Sequence, residues 1–260
     1  GAGRSAAAPA ALARGAAPPG LGPAARARFE RKRNMQRRLT NVLLATATRH
    51  PDIGYCQGMN FVAAALLNAH AEQKAFSEDP QDPGDLARER RALALFHRLL
   101  EKYGLLDMYK PGLAALRQRC WQLGELLRLY LPAVCLHLEG QGIDTEMFTV
   151  GWFQTIFMYM DEMPFATIRR IWDIYFFERS WKIIFRVAIA LLKLVEEDLL
   201  ALPLDGALRL LGERYPGGRL APEVLLPTAL SYKVTRKHIL FLKARYQEKL
   251  KQEAAAKQKR

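Results

Sequence analysis

Residues 51–67 read Pro51-Asp52-Ile53-Gly54-Tyr55-Cys56-Gln57-Gly58-Met59-Asn60-Phe61-Val62-Ala63-Ala64-Ala65-Leu66-Leu67, and they decide the fold class. The first part is a turn: the residue before a proline is pushed out of the α region, and Gly54 tolerates positive φ. The part after Gly58 is a helix apolar nearly all round, which marks it for burial among other elements. Upstream, Phe29, Arg33, Gln36 and Leu39 lead into Val42-Leu43-Leu44-Ala45 at helical spacing, so a helix is expected from about Arg26 until Pro51 stops it. Downstream, residues 77–85 read as an acidic loop broken by two prolines, and helical periodicity resumes at Leu93, Phe96, Leu99 and Leu100. Further helices are expected from Lys110-Pro111-Gly112 to a close before Pro132, from Glu146 with Asp144 or Thr145 as its cap, and from Pro164. One from Trp181 to Leu200 and a last amphipathic one after Ser231 complete the set, Glu253 to Arg260 reading as its fraying end. No stretch sustains strand alternation, and the expected class is all-α.

Length and composition fit this. The chain of 260 residues is half apolar and can bury a full-sized core. Its net charge of +13 is uneven: residues 1–38 carry nine Arg or Lys against Glu30, and residues 233–260 carry ten against Glu248 and Glu253. The stretch between is mildly acidic. Basic ends without the motif of any nucleic-acid module argue against sequence reading, although 26–38 could meet anionic lipid; the plainer alternative is a solvated helix face. Cys56, Cys120 and Cys135 form an odd set without a CxxC pair, and the scattered histidines match no ligand spacing, so neither a disulfide framework nor a metal site is expected. The chain opens Gly1-Ala2-Gly3-Arg4-Ser5 with no signal-type apolar run, and Met147–Met160 is too short to span a bilayer. A cytoplasmic location is expected. Residues 1–25, Ala, Gly and Pro rich, read as a flexible leader, and 26–258 as a single helical domain.

Chemistry concentrates at Gln57. A glutamine on a loop between Gly54 and Gly58, feeding a buried helix, has its side chain presented; the bland alternative is a turn residue satisfying its own loop. Trp152 and Trp172 read as core, Asp173 as a structural ion-pair partner, and Asp161-Glu162 and Glu196-Glu197-Asp198 as surface or capping charges.

Ile53-Gly54-Tyr55-Cys56-Gln57-Gly58-Met59-Asn60 resembles the YxQG signature of TBC domains, the catalytic domains of Rab GTPase-activating proteins. Gly140-Gln141-Gly142-Ile143-Asp144 with Met147-Phe148 and Trp152-Phe153 is similar to the family's middle block. Arg170-Ile171-Trp172-Asp173-Ile174-Tyr175 and Phe185 to Leu192 are similar to its late block, so the likeness runs from about Leu39 to about Leu230. The resemblance implies an elongated all-helical domain that inserts an arginine and a glutamine into a partner GTPase, one stabilising charge and the other positioning water. It assigns Gln57 as the glutamine finger, Tyr55 and Gly58 as the loop that presents it, and Asn60 as the residue fixing the loop's exit. GTP and Mg would belong to the partner, and no cofactor to this chain.

The family's arginine comes from an IxxDxxR motif upstream of the glutamine. Counting back from Gln57 by that spacing reaches Ala17 to Gly22, which hold no Ile, Asp or Arg. Arg14 follows Ala8 and Ala11, Arg26 follows Gly20 and Pro23, and Arg28 follows Gly22 and Ala25, so none fits. The expectation is a Rab-binding domain impaired in catalysis, an effector or scaffold. An active domain, its arginine drawn from 26–38 or from outside this chain, is the alternative; a scaffold for a non-GTPase partner is a third.

Overall fold

A computed structural model describes residues 20–69, 75–213, 215 and 218–258. Among them the secondary structure is helical, and the chain divides after Pro111 into two compact units.

The first unit holds α1 (Pro23–Arg49), α2 (Met59–Asn68), α3 (Pro83–Lys102) and the short α4 (Leu106–Tyr109). Helix α1 starts three residues before the expected Arg26, because Pro23 sits in its first turn, where a missing N–H costs nothing and the fixed φ suits a helix. Of the expected leader 1–25, residues 1–19 lie outside the described residues. Helix α2 packs on both α1 and α3, burying Met59, Val62, Ala63, Ala65, Leu66 and Leu67.

The acidic stretch 77–85 departs from its expectation as a loop throughout. Helix α3 begins at Pro83, and the Asp82 carboxylate accepts from the Asp85 N–H at 2.9 Å, a cap of its first turn. Asp85 is only 3% exposed. Its carboxylate accepts from Asn34 Nδ2 at 2.9 Å and the Ser77 N–H at 2.8 Å and pairs with Arg88 at 3.3 Å. Desolvating a carboxylate is tolerable only with partners of this kind. Nor is α1 a uniformly solvated basic face. Arg38 is 2% exposed, ion-paired to Glu89 at 3.0 Å and donating to the Pro80 carbonyl at 2.5 Å, while Arg31 pairs with Glu78 and Arg33 with Glu30.

The second unit holds α5 (Ala114–Tyr130), α6 (Pro132–Gly140), α7 (Glu146–Thr155), α8 (Phe165–Glu178), α9 (Lys182–Leu194), α10 (Glu196–Leu200), α11 (Leu204–Glu213), α12 (Pro222–Ser231) and α13 (Arg236–Gln258). Helix α9 is buried along most of its length and packs on α5, α8 and α12. Trp152 and Trp172 lie in the core as expected, the indole N–H of Trp172 donating to the Ile156 carbonyl at 3.0 Å. Thr145 is the N-cap of α7 but donates its hydroxyl to Cys120 O on α5 and makes no side-chain cap, while Asp144 just before it accepts from the Glu146 N–H in a local turn.

The expected helix 181–200 is two. Val195 leaves helical geometry with φ −118°, and Glu196, Glu197 and Asp198 crowd the next first turn, where acids favour a fresh N-terminus. Helix α13 begins at Arg236 rather than directly after Ser231, the Thr235 hydroxyl oxygen accepting from the His238 N–H. The helices α6, α11 and α12 had no counterpart in the sequence reading. Pro132 closes α5 and opens α6 together, so a breaker in the sequence became an N1 proline in space.

Candidate functional site

The candidate loop hangs between the end of α1 and the start of α2. Its first turn is closed by the His50 carbonyl, which accepts from the N–H groups of Ile53 at 3.1 Å and Gly54 at 2.9 Å. Gly54 takes φ 63°, as the turn requires. The end of α1 is itself tied to α3: Arg49 Nε donates to Glu101 at 2.8 Å, Thr46 Oγ1 lies 3.2 Å from His97 Nε2, and the His50 ring meets the His97 ring edge-on. The carbonyl from which the loop starts is therefore fixed to two helices.

The loop's exit is fixed by α2. Gly58 is the N-cap at φ 104° and ψ −30°, a region in which a β-carbon is strained, and it is buried. Its carbonyl accepts from the Phe61 N–H at 3.2 Å, and the Cys56 N–H points at the Met59 sulfur at 3.4 Å. Tyr55 donates its phenol to Asn60 Oδ1 at 3.3 Å, bracing the loop across Gln57. Burial, then the neighbouring Cys56, raises the Tyr55 phenol above its ordinary pKa, which keeps that donor protonated.

Gln57 lies exposed between these anchors, and among the described residues its side chain has no hydrogen-bond partner. Tyr55, Gln57, Gly58 and Asn60 adjoin in this loop, the Tyr55–Asn60 hydrogen bond spanning Gln57. The supporting residues His50, Arg49, His97, Glu101 and Met59 were not singled out from the sequence; only the helical phase of Thr46, Arg49 and His50 against His97 and Glu101 could have pointed to them. Chemically, the arrangement is a neutral amide, donor and acceptor, held out on a short, doubly anchored loop.

Other candidates resolve into structure. Glu162 accepts from the Tyr215 N–H at 2.6 Å, Glu196 pairs with Lys193, and Asp198 pairs with Arg219 at 2.6 Å. Asp173 is exposed beside a groove between α8 and α12. None of the three cysteines forms a disulfide, and burial pushes Cys120 up to about 12, far from a nucleophile's range. No helix among the described residues is long and apolar enough to cross a membrane.

Known proteins are similar in fold and sequence. Among solved structures, the Ypt/Rab-GAP domain of Gyp1p shares the fold with a TM-score of 0.64 at 21% identity, over 82% of this chain and 67% of that one. The Chlamydomonas flagellar RabGAP TBC domain aligns with a TM-score of 0.55 at 25% identity, over 76% of this chain and 59% of that one. In sequence, the rat growth hormone-regulated TBC protein 1 is 37% identical over 168 residues, 64% of this chain and 50% of that protein. The human ecotropic viral integration site 5 protein homolog is 29% identical over 212 residues, 80% of this chain and 23% of that protein. The chain thus spans half or less of the length of these two relatives. The profile of the Rab-GTPase-TBC domain matches residues 23–200, across both units and through the Gln57 loop, and the chain belongs to that family.

Proposed function

We propose that this chain binds a Rab-type GTPase in membrane-traffic regulation, presents Gln57 to the partner's nucleotide, and binds more effectively than it accelerates hydrolysis. The observation that carries this is the exposed, unpartnered Gln57 amide on a loop anchored at both ends. A water-positioning group must be held still and must not be occupied by its own protein, and this one meets both conditions. GTP and Mg belong to the partner, so this chain's part is to orient and exclude rather than to coordinate.

The weak-catalyst half of the proposal rests on charge. An arginine finger is worth about 10³–10⁵ in rate, roughly 4–7 kcal/mol of barrier. The family's position for it counts to Ala17–Gly22, which holds no arginine. Within 26–38, Arg38 is buried on Glu89 and Arg31 and Arg33 pair with Glu78 and Glu30, whereas Arg26, Arg28 and Arg37 carry no ion pair among the described residues and are the ones the active alternative would draw on. Withdrawing Arg38 would leave the Glu89 carboxylate with only the neutral Asn41 amide as its donor. A neutral glutamine can order a water but cannot offset charge developing on the phosphoryl group.

Two measurements test this. Complex formation across a panel of Rab proteins should depend on the GTP-bound state, and Gln57→Ala should leave it within about threefold, since one neutral rim contact is worth little. Single-turnover phosphate release should rise by less than about a hundredfold, short of the finger's range. Acceleration beyond that, abolished by Gln57→Ala and by an Arg-to-Ala change within 26–38, favours the active alternative. Retention of no Rab in either nucleotide state favours a scaffold for another partner.

A further inference from the structure

In the second unit, the turn after α8, the start of α13 and one face of α5 enclose a concavity of about 310 Å³. Arg119, Arg179 and Arg236 line it with Ser180, Trp181 and Leu240, and no acid is among its lining residues. Two further concavities of the unit differ: the groove between α8 and α12 sets Asp173 and Glu223 against Arg169 and Arg170, and the one under Tyr246 sets Glu125 and Glu139 against Arg117 and Arg128. Three guanidiniums around one small hollow repel one another unless an anion joins them.

The arginines are also built in rather than merely present. Gln122 is fully buried, its amide Nε2 donating to the Ile239 carbonyl on α13 at 2.7 Å and its oxygen accepting from Arg119 Nη1 at 3.1 Å. Both ends of that side chain are used, and one effect is to fix the Arg119 guanidinium, which also lies 4.8 Å over the ring of Trp181. Arg236 donates to the Glu178 carbonyl. The Glu178 carboxylate is directed elsewhere, to Lys182 at 2.8 Å and Arg186 at 3.9 Å, so it does not neutralise the hollow. Arg179 closes α8 in the left-handed region at φ 47°, its side chain exposed and without a partner among the described residues. Trp181 keeps an indole N–H with no partner.

The rim adds a second chemistry. Leu240, which lines the hollow, and Phe241, the next residue on α13, are 64% and 62% exposed. Apolar side chains flanking a cationic hollow suit a bilayer surface, where the headgroup is anionic and the layer beneath it is not. A carboxylate offers two oxygens, enough for one guanidinium fork, whereas a phosphomonoester offers three and a larger charge, so a hollow lined by three guanidiniums suits the phosphomonoester better.

We propose that this hollow binds the phosphomonoester of an anionic lipid headgroup, with Arg119, Arg179 and Arg236 on the phosphate and Leu240 and Phe241 entering the interface. The site is separate from Gln57, and its test needs no GTPase. The full chain is floated with phosphatidylcholine vesicles containing either phosphatidylinositol bisphosphate or phosphatidylserine at matched surface charge, and soluble inositol trisphosphate is titrated separately. Binding should favour the bisphosphate vesicles and fall roughly tenfold or more in Arg179→Gln/Arg236→Gln, as losing two charge-assisted contacts dictates. The control Arg90→Gln/Arg91→Gln, exposed on α3, should change it by about twofold at most. Leu240→Ser/Phe241→Ser should weaken vesicle binding and leave inositol trisphosphate capture unchanged. Unchanged thermal melting establishes that the variants fold. Equal binding to the two vesicle types, or a pocket variant no weaker than the control, overturns the proposal. Inositol trisphosphate held as tightly as the vesicles places a soluble phosphate there instead and overturns the membrane assignment.

Discussion

Gln57 and Gln141 each precede a glycine of positive φ, Gly58 at 104° and Gly142 at 70°, yet the two side chains end in opposite situations. Gln141 is half-buried at the end of α6, and its amide donates to the Leu202 carbonyl at 2.8 Å and lies 2.9 Å from His137 Nε2, tying α6 to the segment before α11. Gln57 has no such neighbour. The two share the Gln-Gly step although their flanks differ, Tyr55-Cys56 and Met59-Asn60 against Glu139-Gly140 and Ile143-Asp144, so that step alone does not decide which amide is structural. What decides it is whether the fold brings partners within the amide's reach, as it does for Gln141 with the Leu202 carbonyl and His137. An amide that the protein does not use for itself is available to something else.

That contrast can be broken or sharpened by substitution. Gly58→Ala forces a β-carbon into a backbone region that side chains rarely adopt, and it should lower the unfolding free energy in urea by about 1–3 kcal/mol. It should also reduce Rab binding more than stability alone accounts for. Gln141→Ala should cost about 1–2 kcal/mol, because the Leu202 carbonyl loses its amide donor. Gly142→Ala meets open space and pays only for its left-handed φ, about 1 kcal/mol. Gln57→Ala should stay within about 0.5 kcal/mol of the parent while removing whatever acceleration of hydrolysis exists. A destabilised Gln57→Ala, or a neutral Gln141→Ala, would break the comparison.

Acid probes the anchor beneath Gln57 with the smallest effect. Burial first, then the charges of Arg49 and His50, hold the His97 imidazole below its ordinary pKa. The unfolded chain therefore binds that proton more readily than the folded one. Stability contributed by the neutral ring is present above the ordinary histidine range and is lost as pH falls through that range toward the lower folded value. Tm should decline on going from about pH 7.5 to about pH 5.5, and His97→Gln should flatten the decline. Glu101, held below its ordinary range by the Arg49 hydrogen bond first, adds a loss of the same sign further into acid.

The helical class was legible because apolar spacing and helix stops are local: Val42, Leu43, Met59, Val62, Phe96 and Leu99 declare one face each and are all buried. Gln57, Tyr55, Gly58 and Asn60 were legible as a group because they adjoin in sequence. The arginine hollow was not, since Arg119, Arg179 and Arg236 are far apart in the chain and meet only through packing of α5, α8 and α13. Asp85 and Arg38 were misjudged for the same reason. Charge on a helix reads as solvent-facing until a distant partner such as Asn34 or Glu89 is brought to it. Pro132 shows the remaining gap, because a proline that ends one helix can begin the next, and only the path of the chain distinguishes the two.

The burial of Arg38 has a consequence for digestion by trypsin. The enzyme needs its arginine in an extended, accessible strand, and the Arg38–Leu39 bond lies within α1 with its side chain enclosed. Cleavage there can proceed only from molecules in which the α1–α3 packing has opened, so its rate serves as a clock for opening of the first unit. The exposed Arg90 and Arg91 lie in the middle of α3, so scission after them likewise requires that helix to unwind.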